Sequence, residues 1–381
     1  MNFLVLGSGM MGSAIADDLA RSENVEGVIL ADFDFSRAQN AALNSGSSKI
    51  KPLRLDVNDH QGVVNAMKGN DVAVGAVSFR FNVALARAAI EAGIHFCDLG
   101  GNDEVVLEQL ALDAKAKDRG IAIVPNCGLA PGLANILAAR GAEQFETIDC
   151  IRMRVGGLPQ HPVLPFNYQI VFSVEGLLNE YSGKSSVIRD HKIIDVDTLT
   201  EVESIQFPAP FGVLEAFHTS GGASLTPKMF EGKVRELDYK TIRYPGHCEK
   251  FRTLLELGFG SNEPLSLGSN VLTEREFFIE LLKRKLPQSG ADVVLMRVSV
   301  EGTKLAKRRC LTFSMIDFYD ETRNISAMMR GTAYPTSLIA QFLASGVIRK
   351  SGAITPEQCV PLDPLLSGLK KRSMTITQEW N

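Results

Sequence analysis

The chain has 381 residues, 45% of them hydrophobic and 22% charged, too long for one compact core and too apolar for a disordered or fibrous protein, so two domains are expected. Forty Lys and Arg against 44 Asp and Glu leave a net charge of -4, which offers a polyanion nothing and excludes nucleic acid as the expected partner. Six scattered cysteines without a CxxC pair argue against a disulfide framework and a zinc site.

Along the chain, short apolar runs at residues 3–6, 28–31, 52–55, 71–76, 94–97 and 121–124 alternate with helical patterns at 10–19, 83–92 and 104–119. Strands alternating with helices predict an α/β fold, a doubly wound parallel Rossmann sheet over residues 1–126. Past residue 126 the pattern changes. Alternating strands at 151–155, 234–244, 293–300 and 311–318 predict a second, mixed α/β substrate domain over 127–330, with residues 331–381 returning to the first domain. A helix over 274–285 carries a capping box of Thr273 and Glu276, and a last helix over 335–344 is expected to begin at Pro335. The N-terminus lacks the charge pattern of a signal peptide, and no apolar run nears the roughly 20 residues of a membrane span, so a cytoplasmic protein without membrane contact is expected.

Gly7, Gly9 and Gly12 form G-x-G-x-x-G between the first strand and the helix that Met10 and Met11 open. The first glycine permits the tight turn, the second lets backbone approach a pyrophosphate, and the third lets helix and strand pack closely. Asp32 lies 20 residues after Gly12, where a carboxylate binds the adenosine ribose and disfavours a 2′-phosphate, so NAD is expected over NADP. Arg37 could neutralise such a phosphate or face solvent, and Asp56, ending the third strand, is placed toward the adenine side or is an ordinary loop carboxylate.

The opening G-S-G-M-M-G, the C-D-L-G-G ending at Gly101, the loop P-N-C-G-L-A-P-G at 125–132 and the late T-A-Y-P resemble the saccharopine dehydrogenase-like family. Within it, E-A-F-H-T-S-G-G at 215–222 and Y-K-T-I-R-Y-P-G-H at 239–247 resemble most the L-lysine 6-dehydrogenase branch. The resemblance implies NAD-dependent oxidative deamination of the lysine ε-amine to the 6-semialdehyde, which cyclises to a piperideine carboxylate. Saccharopine dehydrogenase and a non-catalytic NAD-binding regulator are the alternatives.

Such a reaction needs an acid-base group near the reacting carbon, and Asp98, His218 and Lys240 are the candidates. Ser78 and Asp98 end the fourth and fifth strands, where doubly wound folds bind ligands, so Ser78 is expected at cofactor and substrate alike. Arg243 is the expected bidentate anchor for an amino-acid carboxylate, with Thr219 beside the substrate. Lys240 and Arg243, three apart on a strand, should face opposite ways. Tyr168 and Phe172 either line the substrate site or belong to the core, and Cys127 reads as a small apolar side chain. The histidines show no metal-ligand spacing, so no metal is predicted. A small-molecule amino acid is the expected partner, with self-association into a homo-oligomer.

Overall fold

A computed structural model describes residues 1–268 and 270–381 and divides into two compact units, Met1–Arg140 with Met329–Thr375, and Gly141–Met328 with Ile376–Asn381. The first unit runs on through the helix Leu133–Ala142 as far as Arg140, where sequence patterning put the changeover at residue 126. That helix, α7, is buried from Leu133 to Ala139, apolar there except for Asn135, and carries no signal to separate it from the preceding unit.

The first unit is built on β1 (Asn2–Leu6), β2 (Gly27–Asp32), β3 (Ile50–Arg54), β4 (Val72–Gly75), β5 (His95–Asp98) and β6 (Ala122–Val124), all parallel. Spatial order is 3-2-1-4-5-6, with the late strand Gly352–Ala353 added parallel to β6 as a seventh. Strand order reverses between β1 and β4, the point at which such sheets leave a crevice at their carboxyl ends. β1 and β4 are almost wholly buried because helices cover both faces, which explains their unbroken apolar sequence. The crossovers are α1 (Met10–Arg21), α2 (Phe35–Ser45), α3 (His60–Met67), α4 (Asn82–Ala92), α5 (Asp103–Leu110) and α6 (Asp113–Asp118). The single helix expected over 104–119 is thus two. The Leu112 N–H reaches back three residues to the Gln109 carbonyl, tightening the turn and burying Leu112.

The second unit carries β7 (Thr147–Pro159), β8 (Lys184–Arg189), β9 (Lys192–Asp197), β10 (Glu203–Phe207), β11 (Gly212–Phe217), β12 (Val234–Arg243), the small hairpin β13 (Pro264–Leu267) and β14 (Asn270–Thr273), then β15 (Asp292–Lys304) and β16 (Lys307–Phe318). The main path is β10-β11-β12-β7-β15-β16, closed by Thr377–Trp380 against β16, and the β8–β9 hairpin attaches to β12. β12 and β7 pair in parallel and the other neighbours antiparallel, so the sheet is mixed as expected. Tyr168, Leu177, Leu178, Tyr181, Phe217, Phe251 and Phe278 pack one cluster, and Leu158, Phe207, Ala216, Ile242 and Leu295 another. The first draws on α8 (Val174–Glu180), α10 (His247–Glu256) and α11 (Glu274–Lys285), with α9 (Thr226–Phe230) lying between the first two in the chain. Thr273 and Glu276 form the expected capping box on α11.

The last long helix, α12, spans Ala327–Ala344 and holds Pro335 in its interior, eight residues after the start. Its true start is set from a distance. The buried Asp292 carboxylate accepts hydrogen bonds from the N–H groups of Ala327 (2.7 Å) and Met328 (2.9 Å). Among the described residues, no helix is long and apolar enough to cross a membrane.

Candidate functional site

The first unit shapes a groove of about 450 Å³ along the carboxyl ends of β1 to β4, lined among others by Gly7, Asp32, Phe33, Asp56, Val77 and Phe81. The three glycines divide their work as the fingerprint requires. Gly7 has φ +101°, and a Cβ there would meet the Ala76 carbonyl at 2.6 Å, while one on Gly12 would drive into the Gly7 carbonyl oxygen. At Gly9 a Cβ would meet only the tip of Arg37, 3.9 Å away, so that backbone face is open. Met10 and Met11 begin α1 behind this turn, so N–H groups at the helix start are available to a pyrophosphate.

Asp32 accepts hydrogen bonds from the Ser8 N–H (2.7 Å), the Ser8 hydroxyl (2.8 Å) and the Asp34 N–H (2.9 Å). Burial pushes this carboxyl up, but those donors and the Arg37 charge outweigh it and hold it below the usual range. Arg37 is exposed on α2. Asp56 turns back on its own loop, accepting from the Asn58 N–H and side-chain amide, at the rim of the groove. Ser78 is exposed after β4, at the start of the short turn Phe79–Phe81. These residues fit a nicotinamide dinucleotide: an open glycine turn, a helix start and an ionised carboxylate surround one groove.

Asp98 is not among the residues that line the groove. It is fully buried, and its carboxylate accepts from the Gly100 N–H (2.7 Å) and the Gln109 amide (2.6 Å), organising the glycine turn that follows β5. Burial pushes it up to about 6 against the pull of these bonds. Cys127 is buried too, and burial followed by Cys97 pushes its thiol far above the usual range, consistent with an inert small side chain.

In the second unit, β12 sorts its side chains by parity. Asp238 and Lys240 face one way and Tyr239, Thr241 and Arg243 the other, which separates Lys240 from Arg243 as expected. On the first face, the Lys240 ammonium donates to the Glu203 carboxylate (3.0 Å) and the Glu201 carbonyl (2.6 Å), while Arg154 bonds both Glu203 and Asp238. Lys240 is therefore buried and committed to acceptors of the protein itself. His218 is likewise enclosed by partners of the protein itself. It is fully buried, with Nδ1 3.2 Å from the Tyr239 carbonyl and Nε2 3.1 Å from the Glu201 carboxylate. Burial pushes its pKa down, and Glu201 pulls it part of the way back. The expected result for His218→Gln is loss of about 1–3 kcal/mol of stability with turnover kept within a few-fold, because hydrogen bonds and not chemistry are removed; a folded variant with kcat down a hundredfold would return His218 to catalysis.

On the other face, the buried hydroxyls of Thr219 and Thr241 bond each other at 2.7 Å, with Tyr239 buried on the same face of the strand. Gly222 is required here, since a Cβ would overlap the Tyr239 ring. Arg243 is held by a directed chain. Its Nε–H donates to the Tyr181 oxygen (2.9 Å), the Tyr181 hydroxyl donates to His247 Nε2 (2.8 Å), and His247 Nδ1–H donates to the Phe166 carbonyl (3.0 Å). This assignment requires a neutral imidazole. Burial, then the Arg243 charge, pushes His247 down to about 3. Arg243 Nη1 donates to the Ile242 carbonyl (2.9 Å), and the guanidinium lies 5.1 Å over the Tyr168 ring. Nη2 has the Glu180 carboxylate 4.0 Å away, beyond hydrogen-bond length. Tyr168 thus belongs both to the core and to the Arg243 surroundings. Strand parity from Arg243 points to Thr241 and Tyr239; nothing local points to Glu180, Tyr181 or His247.

A parallel sheet of this order, with its glycine turn and acidic partner, defines a Rossmann-type oxidoreductase that binds NAD(P). Residues 3–124 match the family model for the saccharopine dehydrogenase NADP binding domain, and residues 128–374 that for the saccharopine dehydrogenase C-terminal domain. The chain belongs to the saccharopine dehydrogenase family. An NADP(+)-dependent, L-glutamate-forming saccharopine dehydrogenase of Schizosaccharomyces pombe is 20% identical over 451 residues, covering 99% of this chain and 98% of the relative. A carboxyaminopropylagmatine dehydrogenase of Synechocystis is 24% identical over 217 residues, covering 54% and 53%. The apo L-glutamate-forming saccharopine dehydrogenase of Saccharomyces cerevisiae superposes with a TM-score of 0.80 at 18% identity, covering 100% of this chain and 99% of that one, which establishes the fold.

Proposed function

We propose that the protein is an NAD-dependent dehydrogenase of the L-lysine ε-amine, forming the 6-semialdehyde that cyclises to piperideine-6-carboxylate. One observation carries this reading: Arg243 is a buried cation on the hydroxyl-bearing face of β12, and among the described residues no carboxylate comes within hydrogen-bond distance of it. A buried guanidinium is costly until an anion meets it, and a substrate carboxylate supplies that anion with good geometry. The Tyr181–His247 relay fixes the orientation of the guanidinium before substrate arrives. The buried Tyr168 ring, 5.1 Å from the guanidinium, and the buried Tyr239 ring on the same strand face offer apolar surface that suits the aliphatic stem of lysine. A nicotinamide, when bound at the glycine turn, would supply the hydride acceptor for the amine-bearing carbon, and Arg243 would hold the substrate carboxylate.

Oxidation at a carbon–nitrogen bond agrees with the names of the fungal relatives, which also favour saccharopine as a second substrate reading. Formation of reduced nicotinamide, followed with L-lysine, saccharopine and cadaverine in parallel, separates the two. Turnover of saccharopine without lysine overturns the proposal, and silence with every amine supports a non-catalytic NAD-binding regulator.

Preference for NAD is part of the same proposal, although the family model and the fungal relatives are named for NADP. The ionised Asp32 sits where a 2′-phosphate would bring like charge. Asp32→Ser is expected to weaken NAD roughly tenfold to a hundredfold, as for loss of bonds to a charged group, and to shift the NAD to NADP affinity ratio toward NADP. Titration of both cofactors under one set of conditions checks this; an unchanged ratio removes Asp32 from recognition.

A further inference from the structure

Glu180 is the last residue of α8, and its backbone is pinned by the Ser220 N–H, which donates to its carbonyl at 2.8 Å. Its side chain keeps 34% of its surface exposed, whereas the neighbouring Arg243 side chain keeps 3%. Burial of the carboxyl pushes its pKa up to about 7, against the pull of Arg243. The guanidinium and the carboxyl stand 4.0 Å apart without a hydrogen bond, and two of the guanidinium nitrogens are already committed to Tyr181 and Ile242.

An α-amino acid presents the complementary pair: its ammonium nitrogen and carboxylate carbon are bonded to one carbon and lie about 2.5 Å apart by standard geometry. We infer that Glu180 and Arg243 form a clamp for this zwitterionic head group, Arg243 taking the α-carboxylate and Glu180 the α-ammonium. The inference rests on the amino-acid substrate proposed above and names the group that selects for the α-amine. Binding converts one unbonded pair into two charge-assisted contacts and gives the buried Arg243 charge a hydrogen-bonded anion. The apolar stem then leaves the clamp between aromatic side chains, and the specificity lies in the head group, whatever the distal amine carries.

L-norleucine and hexanoate share that stem and carboxylate, but only norleucine has the α-ammonium, and neither has a distal amine to oxidise. Calorimetric titration of both into the full-length protein saturated with NAD is expected to show norleucine bound at least tenfold more tightly. In Glu180→Gln the ratio should fall toward one, with hexanoate bound as well as before or better. Arg243→Ala should lose both ligands. Unchanged NAD affinity and circular dichroism establish that the variants are folded. The clamp is overturned if the wild type does not prefer norleucine, if folded Glu180→Gln keeps the preference, or if that variant weakens both ligands equally, which would make Glu180 a positioning residue for Arg243. Failure of the lysine reading shows separately, as absent lysine turnover in an enzyme that still distinguishes the two ligands.

Discussion

Arg243→Ala is expected to cut kcat/KM for L-lysine roughly tenfold to a hundredfold while leaving cadaverine oxidation little changed. Charge-assisted bonds to a carboxylate contribute on the order of 1.5–3 kcal/mol, and cadaverine has no carboxylate to lose. The ratio of the two rates is therefore more informative than either rate. Removing Arg243 also frees the Tyr181 oxygen from its donor and leaves Glu180 without its nearest cation, so a folding check precedes the kinetics. Arg243→Lys distinguishes charge from geometry, because an ammonium cannot donate to Tyr181 and Ile242 in the same planar fork. A folded Arg243→Ala enzyme that slows both amines equally would deny Arg243 the carboxylate.

The parallel sheet was legible because strands buried on both faces read as unbroken apolar runs and the glycine turn sits between the first strand and its helix. The β8–β9 hairpin was not. Its two-residue turn is Asp190–His191, both at positive φ, where Asn-Gly is the recognisable signal. The start of α12 was hidden for another reason, since its capping carboxylate, Asp292, stands 35 residues upstream of Ala327 and Pro335 offered a false start.

Within the site, alternation along β12 was enough to separate Lys240 from Arg243. Residue type could not reveal which of the two faces was filled by acids of the protein itself. Lys240 and His218 have the right chemistry for catalysis, but Glu201 and Glu203, adjacent to the β10–β11 hairpin or within it, already occupy them. Glu180 and His247 gain their significance only from tertiary neighbours brought together by α8, α10 and β12, which no local pattern records.

Because β12 carries an ion network on one face and Arg243 on the other, loosening the network should be felt at the substrate side. Arg154 is 4% exposed in its side chain and bonds Asp238, itself 8% exposed, at 2.7 Å, as well as Glu203. Breaking a buried pair by removing one partner costs about 3–5 kcal/mol because the remaining charge is left uncompensated. Arg189, 3.5 Å from Asp238, and Lys240 nearby soften the loss, which places Arg154→Met near the lower end of that range. For a protein with a total stability of about 5–15 kcal/mol this is a large fraction, and a melting point lower by roughly 6–12 °C is expected. Replacing both charges, Arg154→Met with Asp238→Leu, should recover part of the loss, since no buried carboxylate then stands alone. Below its melting point, Arg154→Met should raise KM for lysine more than it lowers kcat, as β12 and its Thr241 and Arg243 side chains lose their fixed register against β7. A variant that melts with the wild type would show that Arg189 and Lys240 already neutralise Asp238, and a double variant no more stable than the single would assign the loss to packing instead of charge.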